Sequence, residues 1–237
     1  INPELVLCYQ ALQSSATEVI VHLQTLINGY PENDNSRSEF YYQVRDSWNE
    51  SVDQFGTLSQ DEMNLRVAQT IFMNKTCFNG LFRVNSSGHF NVPVGRYVNP
   101  SFPSEEALLA VHEALQGVEI HLASFEECVE WVDESTFVYF DPPYRPLSKT
   151  SHFVSYSRDQ FNDDDQRRLA SVFTTLARNR VRVMLSNSDP TNTMPDDSFF
   201  DDLYAQYTID RVSANRPINS DAEARGAVTE LLIGNCW

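Results

Sequence analysis

A four-residue motif, Asp141-Pro142-Pro143-Tyr144, directly follows an apolar run at residues 136–140. The run predicts a buried β-strand, so the motif should lie at the strand's carboxyl end, where ligands bind in open α/β sheets. The Asp141 carboxylate and a proline carbonyl accept hydrogen bonds, and Tyr144 offers a flat face for stacking. These groups suit methylation of an amino group on a planar ring, because acceptors that hold the amino hydrogens aim the nitrogen lone pair at an electrophilic methyl group. The alternative is a Pro-Pro turn that only closes a strand.

Composition favours a globular protein without a metal site. The chain has 237 residues, 41% of them hydrophobic, which suits one full-sized domain or one domain with a small insertion. No stretch approaches the roughly 18 apolar residues of a membrane span, and no signal-peptide pattern opens the sequence. The four cysteines are widely separated and the histidines are isolated, so we expect neither a disulfide framework nor a metal site. A reduced, cytoplasmic location fits best.

The charge is strongly acidic. The net value is −16, from 33 acidic and 17 basic residues, and only Lys75 and Lys149 are lysines. A protein that acts on nucleic acid normally carries a basic footprint, so the overall charge argues against DNA. Two interpretations would reconcile this charge with DNA binding. Either the acidic residues form a solvated surface, as in proteins adapted to high salt, or the arginines are concentrated on one face. Because the sequence begins at Ile1, we expect it to be a fragment that lacks its native N-terminus.

Helical patterns dominate the first part of the chain, and strands alternate with helices in the second. Asn2-Pro3 is typical of a helix start, and Ser59 with Glu62 has the spacing of a capping box. Further helices are predicted at 16–27, 40–53, 59–73, 102–115 and 163–178. Strands are predicted at 118–122, 136–140, 181–185, 204–212 and 229–233. The alternation predicts a mostly parallel sheet.

Residues 74–97 differ in character and predict a β-hairpin with a loop. The segment is dense in side chains that read base edges: arginines suited to guanine, asparagines suited to adenine, a phenylalanine that can wedge into a base step and a lysine that can meet a phosphate. These residues are Arg83 and Arg96, Asn79, Asn85 and Asn91, Phe78, and Lys75. Lys149 is a second candidate for a phosphate contact. The alternative is a polar hairpin without a ligand, because asparagine and glycine are ordinary turn formers.

Several blocks of the sequence resemble the adenine-N6 DNA methyltransferases of the Dam type, the D12 class. NKTCFNGLFRVN followed by FNVPVGRY resembles the family's target-recognition hairpin, and FVYFDPPYRPLS resembles its catalytic loop. Similar later blocks are FVSYSRDQF, DDQRRLA, VMLSNSD, ANRPINS and RGAVTELLIGN, and INPELVLCYQAL resembles a helix near the family's N-terminus. The resemblance covers nearly the whole chain, and the hairpin block is more specific than DPPY, which other amino methyltransferases share.

The resemblance implies an α/β fold: a Rossmann-like methyltransferase sheet, incomplete at its N-terminus, with a helical plus β-hairpin target-recognition insertion. Residues 1–30 and 116–237 would form the catalytic domain, and residues 31–115 the target-recognition domain that binds DNA. In the catalytic motif, Asp141 would hold the target amino group and lie near the cofactor, and the Pro142 carbonyl would assist it. Pro143 belongs to the same motif, and Tyr144 would stack on a flipped adenine.

The same resemblance assigns DNA contacts in the hairpin. The positions that match the family's recognition hairpin are Phe78, Asn79, Leu81, Arg83, Asn85, Asn91, Pro93, Arg96 and Tyr97, with Lys75 beside them. The implied activity is site-specific adenine-N6 methylation of double-stranded DNA at GATC, and the implied methyl donor is S-adenosylmethionine.

Two cofactor-binding elements of the family are absent from this sequence: a short Lys/Gly/Trp-type segment and an FxGxG-like glycine turn. We expect them to lie in a missing upstream segment; alternatively, another chain supplies them or the product is inactive. Two other functions stay open: methylation of a different amine or amide, such as a protein glutamine, and a non-catalytic DNA-binding or regulatory role.

Overall fold

The computed structural model describes residues 2–52, 56–146, 161–215 and 227–235. The described residues form two compact units, one up to Leu122 and the other from Ala123 onward. The functional division expected from the sequence, 31–115 against 1–30 with 116–237, remains a prediction, because compactness reports where packing is dense and not which residues share a function.

Four α-helices build the described part of the first unit, and their starts follow the local signals in the sequence. They are α1 (Pro3–Gly29), α2 (Asp34–Glu50), α3 (Gln60–Thr76) and α4 (Glu105–Ala114). The Asn2 side chain accepts a hydrogen bond from the Glu4 N–H, with Pro3 in the first turn, as predicted. Ser59 and Glu62 form the predicted capping box at the start of α3.

The two predicted N-terminal helices are one element, α1, with a bend at Ser15. There φ is −147° and ψ is 43°, outside the helical range. The Ser15 hydroxyl lies 3.2 Å from the Ala11 carbonyl oxygen and donates to the Asn64 side chain at 2.7 Å. A serine that bonds to the backbone of the preceding turn commonly bends a helix without ending it, which explains why the helix continues.

The core of the first unit joins α1, α2 and α3. Trp48 and Phe72 are fully buried, and the buried Arg66 guanidinium lies 3.7 Å from the centre of the Trp48 ring. Arg66 also pairs with Glu4 at 2.6 Å. Breaking the Arg66–Glu4 pair would leave an uncompensated buried charge. The pair, together with the Trp48 ring, therefore holds α1, α2 and α3 against one another, and these helices support the segment after α3.

The second unit consists of a four-stranded sheet with helices and short 3-10 turns. Its elements are β1 (Phe137–Phe140), α5 (Asp163–Arg178), β2 (Arg182–Ser188), α6 (Phe199–Leu203), β3 (Thr208–Asn215) and β4 (Ala227–Gly234), with 3-10 turns at Phe125–Glu130 and Pro190–Asn192. Asn162 and Asp165 form a capping box at the start of α5. The apolar stripe of α5, with Leu169, Phe173 and Leu176, is buried in the core of this unit.

The strand order is β1-β2-β4-β3, and the sheet is mixed. β1 and β2 are parallel, whereas β4 is antiparallel to both of its neighbours. The prediction of a mostly parallel sheet is therefore wrong for the described strands. The reason is that β3 and β4 are consecutive and pair as a hairpin, which needs no long crossover. A mixed α/β arrangement of this kind is consistent with a methyltransferase fold.

The predicted strand at 118–122 is also wrong, because these residues have no strand pairing. Val118 and Leu122 are 45% and 53% exposed, so neither burial of these side chains nor pairing with a neighbouring strand stabilises an extended conformation there. Among the residues that the structure describes, no helix combines the length and the apolar character needed to cross a membrane.

Candidate active site and nucleic-acid interface

The DPPY motif begins at the residue after β1, at the carboxyl end of that strand, as predicted. Phe140 pairs in parallel register with Leu185 of β2. The motif therefore lies beside the last three residues of β2, Ser186-Asn187-Ser188, which continue the neighbouring strand at the same edge of the sheet.

Asp141 is exposed, and a hydroxyl chain orients its carboxylate. The Ser186 hydroxyl donates to Asp141 Oδ1 at 3.0 Å, and the Tyr139 hydroxyl lies 2.9 Å from Ser186 Oγ. Within the described part of the chain, Ser186 is the hydrogen-bond partner of Asp141 and no second one is found. Because an ionised carboxylate has about four lone-pair sites, most of its acceptor capacity faces solvent.

The two proline carbonyls of the motif have different environments. The Pro143 carbonyl accepts a hydrogen bond from Gln166 Nε2 at 3.2 Å. Gln166 Oε1 in turn accepts from Asn187 Nδ2 at 3.2 Å, and both amide side chains are fully buried. No described donor contacts the carbonyl of Pro142. The Pro142 carbonyl is therefore the proline acceptor that remains for a ligand.

Tyr144 is half-buried at the same edge of the sheet. This burial raises the pKa of its phenol above the ordinary value, and the nearby Ser186 hydroxyl opposes the shift. The carboxylates of Glu230 and Asp141 raise the pKa further, since they disfavour a second negative charge. The ring is therefore neutral at physiological pH and suited to stack on a base.

The supporting residues Ser186, Asn187 and Gln166 were not found from the sequence. A signal was present, because Ser186-Asn187-Ser188 is a polar triplet at the end of an otherwise apolar strand. Buried polar side chains at such a place must have partners, so they favour a hydrogen-bonded support. The identity of those partners depends on which strands are neighbours, which the triplet does not encode.

The Gln166 contact leads to a stability prediction. We expect Gln166→Leu to lower the free energy of unfolding by about 1–3 kcal/mol, because it removes the donor to the Pro143 carbonyl and leaves the Nδ2 group of the fully buried Asn187 without its acceptor. Urea denaturation measures the change. The matched control is Gln206→Leu at an exposed position, which should leave the midpoint within experimental error. Equal stability of the two variants would contradict the role of Gln166.

The predicted β-hairpin at 74–97 is present as a chain reversal with isolated pairings. Cys77 pairs with Val94 and Val84 pairs with Phe90, both antiparallel, but no continuous strands form. A 3-10 turn at Phe78–Gly80 interrupts the first arm and changes the register between the two pairings. The prediction of a hairpin is therefore correct in topology, but the hairpin is less regular than the sequence predicted.

Side chains along the two arms of the hairpin alternate between an inner and an outer face. Phe82 and Phe90 pack edge to face with Trp48 of α2, and Val92 is buried. The neighbouring positions point away from that core. Of the ten predicted DNA-contacting residues, Leu81 is partly buried and the others are exposed: Lys75, Phe78, Asn79, Arg83, Asn85, Asn91, Pro93, Arg96 and Tyr97. The structure thus brings these residues together in one hairpin, in the first unit, while the DPPY motif belongs to the second. Lys149 lies outside the described residues.

Three of these residues, Arg83, Asn85 and Asn91, stabilise the hairpin itself. Arg83 Nε donates to Asn91 Oδ1 at 2.7 Å, directly across the hairpin. Asn85 Oδ1 accepts from the backbone N–H groups of Ser87 and His89, each at 3.0 Å, and so closes the turn at the tip. An amide oxygen orients a guanidinium but leaves its charge intact, so Arg83 stays a cation available to a polyanion.

Gly95 permits a close approach inside the hairpin, and this leads to a second prediction. A Cβ at this position would lie 2.4 Å from the Tyr97 ring and 2.8 Å from the Cys77 carbonyl oxygen. We expect Gly95→Ala to displace Tyr97 and to weaken specific DNA binding by roughly tenfold or more, at a stability cost of about 1–3 kcal/mol. Gly56→Ala is the matched control, since a Cβ there meets nothing within 4 Å. Unchanged DNA binding in Gly95→Ala would contradict a role for this packing.

The charge distribution reveals a signal that the sequence reasoning missed. Residues 63–104 contain no aspartate or glutamate, although the chain has 33 acidic residues in 237. Within the described part of the first unit, the arginines outside the hairpin are paired with carboxylates: Arg37, Arg45 and Arg66. No described carboxylate pairs with Lys75, Arg83 or Arg96. The unneutralised cations of this unit thus lie in and beside the hairpin, which makes it a local basic surface on an acidic chain.

The described residues contain no cluster of three or more His, Cys, Asp or Glu side chains that could hold a metal ion. The site instead presents a carboxylate, a carbonyl and an aromatic ring at the carboxyl end of a strand in a mixed α/β sheet. These are the groups of a protein that transfers a methyl group to an amino group on a planar ring.

Comparison with known proteins identifies the family. The sequence profile of the family described as D12 class N6 adenine-specific DNA methyltransferase matches residues 1–218. The chain is 44% identical to the type II methyltransferase M.MjaIII of Methanocaldococcus jannaschii, over 99% of this chain and 78% of that protein. It is 36% identical to the type II methyltransferase M1.LlaDCHI of Lactococcus lactis subsp. cremoris, over 99% and 77%, and 32% identical to the DNA adenine methylase of Escherichia coli K12, over 98% and 76%. The chain belongs to the D12 class of N6 adenine-specific DNA methyltransferases, and its substrate is DNA.

Proposed function

We propose that the protein methylates adenine N6 at GATC in double-stranded DNA, using S-adenosylmethionine, after the adenine has left the base stack. The observation that carries the proposal is the acceptor arrangement at the end of β1. Asp141 keeps most of its acceptor capacity, and among the described residues the Pro143 carbonyl has a donor whereas the Pro142 carbonyl has none. Two acceptors beside a half-buried aromatic ring match the two amino hydrogens and the flat face of adenine.

The residues of this chain have distinct tasks in that reaction. The Asp141 carboxylate and the Pro142 carbonyl each accept one amino hydrogen, which turns the N6 lone pair out of conjugation with the ring. The negative charge of Asp141 stabilises the positive charge that develops on N6, and Ser186 keeps the carboxylate in place. The proton that N6 must lose passes to Asp141 or to water. No side-chain nucleophile is required.

S-adenosylmethionine supplies an electrophilic methyl group when it is bound. An exposed carboxylate with one protein partner fits a cationic ligand of this kind, so Asp141 is the described residue that we assign to the cofactor as well as to the target. Methyltransferases of this family use S-adenosylmethionine in general, which supports the assignment.

The recognition surface supports the choice of DNA sequence. The hairpin exposes two arginines, Arg83 and Arg96, that pair with no described carboxylate and suit bidentate contact with guanine. Asn79 and Asn91 are exposed beside them and suit adenine. Phe78 is 51% exposed at the 3-10 turn, where it can fill the gap that a flipped base leaves. Together with the resemblance of the hairpin block, these side chains favour GATC.

Transfer of a labelled methyl group tests the proposal. The full-length protein is incubated with labelled S-adenosylmethionine and with duplexes that contain GATC, a scrambled site, or GATC already methylated at adenine N6. We expect label in the GATC duplex alone, recovered as N6-methyladenine after digestion. Equal labelling of the scrambled duplex would overturn the sequence assignment, and label recovered in any other base would overturn the reaction itself.

A further inference from the structure

Arg145, the residue that follows the DPPY motif, makes more hydrogen bonds than a surface arginine usually makes. Its backbone N–H donates to Asn187 Oδ1 at 3.0 Å, and its carbonyl accepts from the Ser188 hydroxyl at 2.6 Å. Both partners are buried residues at the end of β2. Hydrogen bonds at both the N–H and the carbonyl of Arg145 therefore fix the backbone directly after Tyr144.

The Arg145 guanidinium bridges two carboxylates from different parts of the second unit. Nε and Nη2 donate to the two oxygens of Asp163, at 2.8 and 3.1 Å, and Nη1 donates to Asp197 Oδ2 at 2.7 Å. Asp163 is the first residue of α5, and Asp197 lies just before α6. The guanidinium also lies 4.4 Å from the centre of the Phe199 ring. A planar fork that holds two carboxylates over an aromatic ring has one favoured orientation.

Burial makes the Arg145–Asp197 contact stronger than that of an ordinary surface pair, whereas the Asp163 side chain is 44% exposed. The Arg145 side chain is 19% exposed and that of Asp197 is 13% exposed. Burial disfavours the charged form of Asp197, but hydrogen bonds from Arg145 and from the Phe199 N–H hold its pKa below the ordinary value. Both partners therefore stay charged at physiological pH, so the contact persists there.

We infer that Arg145 is a positioning residue for the methyl transfer, which fixes the end of the DPPY motif so that the Tyr144 ring is held where the flipped adenine must stack. The inference rests on the role proposed above for Tyr144. No contact between Arg145 and the base is required, because it acts through the backbone that it shares with Tyr144. Its two side-chain anchors and its two backbone anchors all belong to the second unit, so DNA recognition by the hairpin is independent of it.

The test compares Arg145→Ala with Arg167→Ala. Arg167 is a matched control, because its guanidinium also faces the Phe199 ring, at 5.4 Å, and pairs with Asp164, but it is 55% exposed and has no described contact with the motif. We expect Arg145→Ala to lower kcat on a GATC duplex by roughly tenfold or more, with KM for the duplex within about twofold of the wild type, since a small displacement of a positioning group costs rate. Arg167→Ala should leave both constants unchanged.

A conservative variant separates positioning from general stability. Arg145→Lys keeps a positive charge between the two carboxylates, so this variant should melt near the wild-type temperature. A lysine ammonium cannot hold both carboxylates in a fork geometry, so the variant should still show a reduced kcat. With 2-aminopurine at the target position, we expect both Arg145 variants to give brighter fluorescence than the wild type, because the extruded base loses its stacking on Tyr144.

Each outcome decides the inference. A wild-type kcat in Arg145→Ala, or full activity in Arg145→Lys, would overturn the positioning role while leaving the proposed function intact. A loss of duplex binding equal to the loss of kcat would overturn it as well, because the role concerns the base and not the duplex. A wild-type protein that methylates no duplex would instead overturn the proposed function on which the inference rests.

Discussion

We expect Asp141→Asn to lower kcat for adenine methylation by roughly 100-fold to 1,000-fold and to leave duplex binding intact. Asparagine has the shape of aspartate, so its oxygen still accepts the hydrogen bond from Ser186. Its NH2 group then faces the adenine amino group, and two donors oppose each other where a donor and an acceptor are needed. The substitution also removes the negative charge that stabilises the developing positive charge on N6.

Rates are measured with labelled S-adenosylmethionine, and duplex affinity is measured by fluorescence anisotropy. Asp210→Asn is the control, because Asp210 is an exposed acid on β3, the edge strand at the opposite side of the sheet from β1. This control should keep the wild-type kcat. A loss of less than about tenfold in Asp141→Asn would contradict the central role of the carboxylate, since even one lost transition-state contact exceeds that value.

We expect Arg83→Ala to reduce the preference for the cognate duplex over a scrambled one by about 1–3 kcal/mol, or roughly 5-fold to 150-fold. The hydrogen bond to Asn91 orients the exposed guanidinium without neutralising it, so this side chain suits bidentate contact with a guanine. Lys75→Ala, by contrast, should weaken binding to both duplexes equally, because a phosphate contact carries no sequence information. It should also reduce the magnitude of the slope of log affinity against log salt by about 0.9.

Competition titrations at several salt concentrations separate the two effects. Arg45→Ala serves as the control, because Arg45 pairs with Asp46 at 3.3 Å, stacks on Tyr42 and lies outside the hairpin. It should change neither the preference nor the slope. If Arg83→Ala lowered the affinity for both duplexes by the same factor, the residue would be a phosphate contact and its predicted base contact would be wrong.

Local patterns in the sequence predicted local structure well. The caps at Asn2 and at Ser59 with Glu62 depend on residues two or three positions apart, so the sequence carries the whole signal. The strand before Asp141 was predicted from a local apolar run and is present, but its predicted burial is wrong, because Phe137 and Tyr139 are 49% and 52% exposed and only Phe140 is buried. The glycine and asparagine turn signals of residues 74–97 likewise predicted the chain reversal that the structure shows.

Features that depend on distant partners were missed. The antiparallel position of β4 follows from pairing with β2 and β3, which no local pattern encodes. The support of the Pro143 carbonyl comes from Gln166, 23 residues away, through a register that the sheet sets. Arg145 read as one more arginine in the catalytic block, because its partners Asp163 and Asp197 look like ordinary acids at helix starts.

The acid-free segment 63–104 also determines how this protein searches DNA. It carries four cations and no acid, so the remaining residues carry 13 cations against 33 acids. A duplex therefore meets repulsion from most of the chain and attraction at the hairpin, and an encounter in the wrong orientation is short-lived. We expect an enzyme with this charge distribution to slide little on random sequence and to find its sites by repeated collisions. Neighbouring sites on one duplex should then be methylated independently rather than processively.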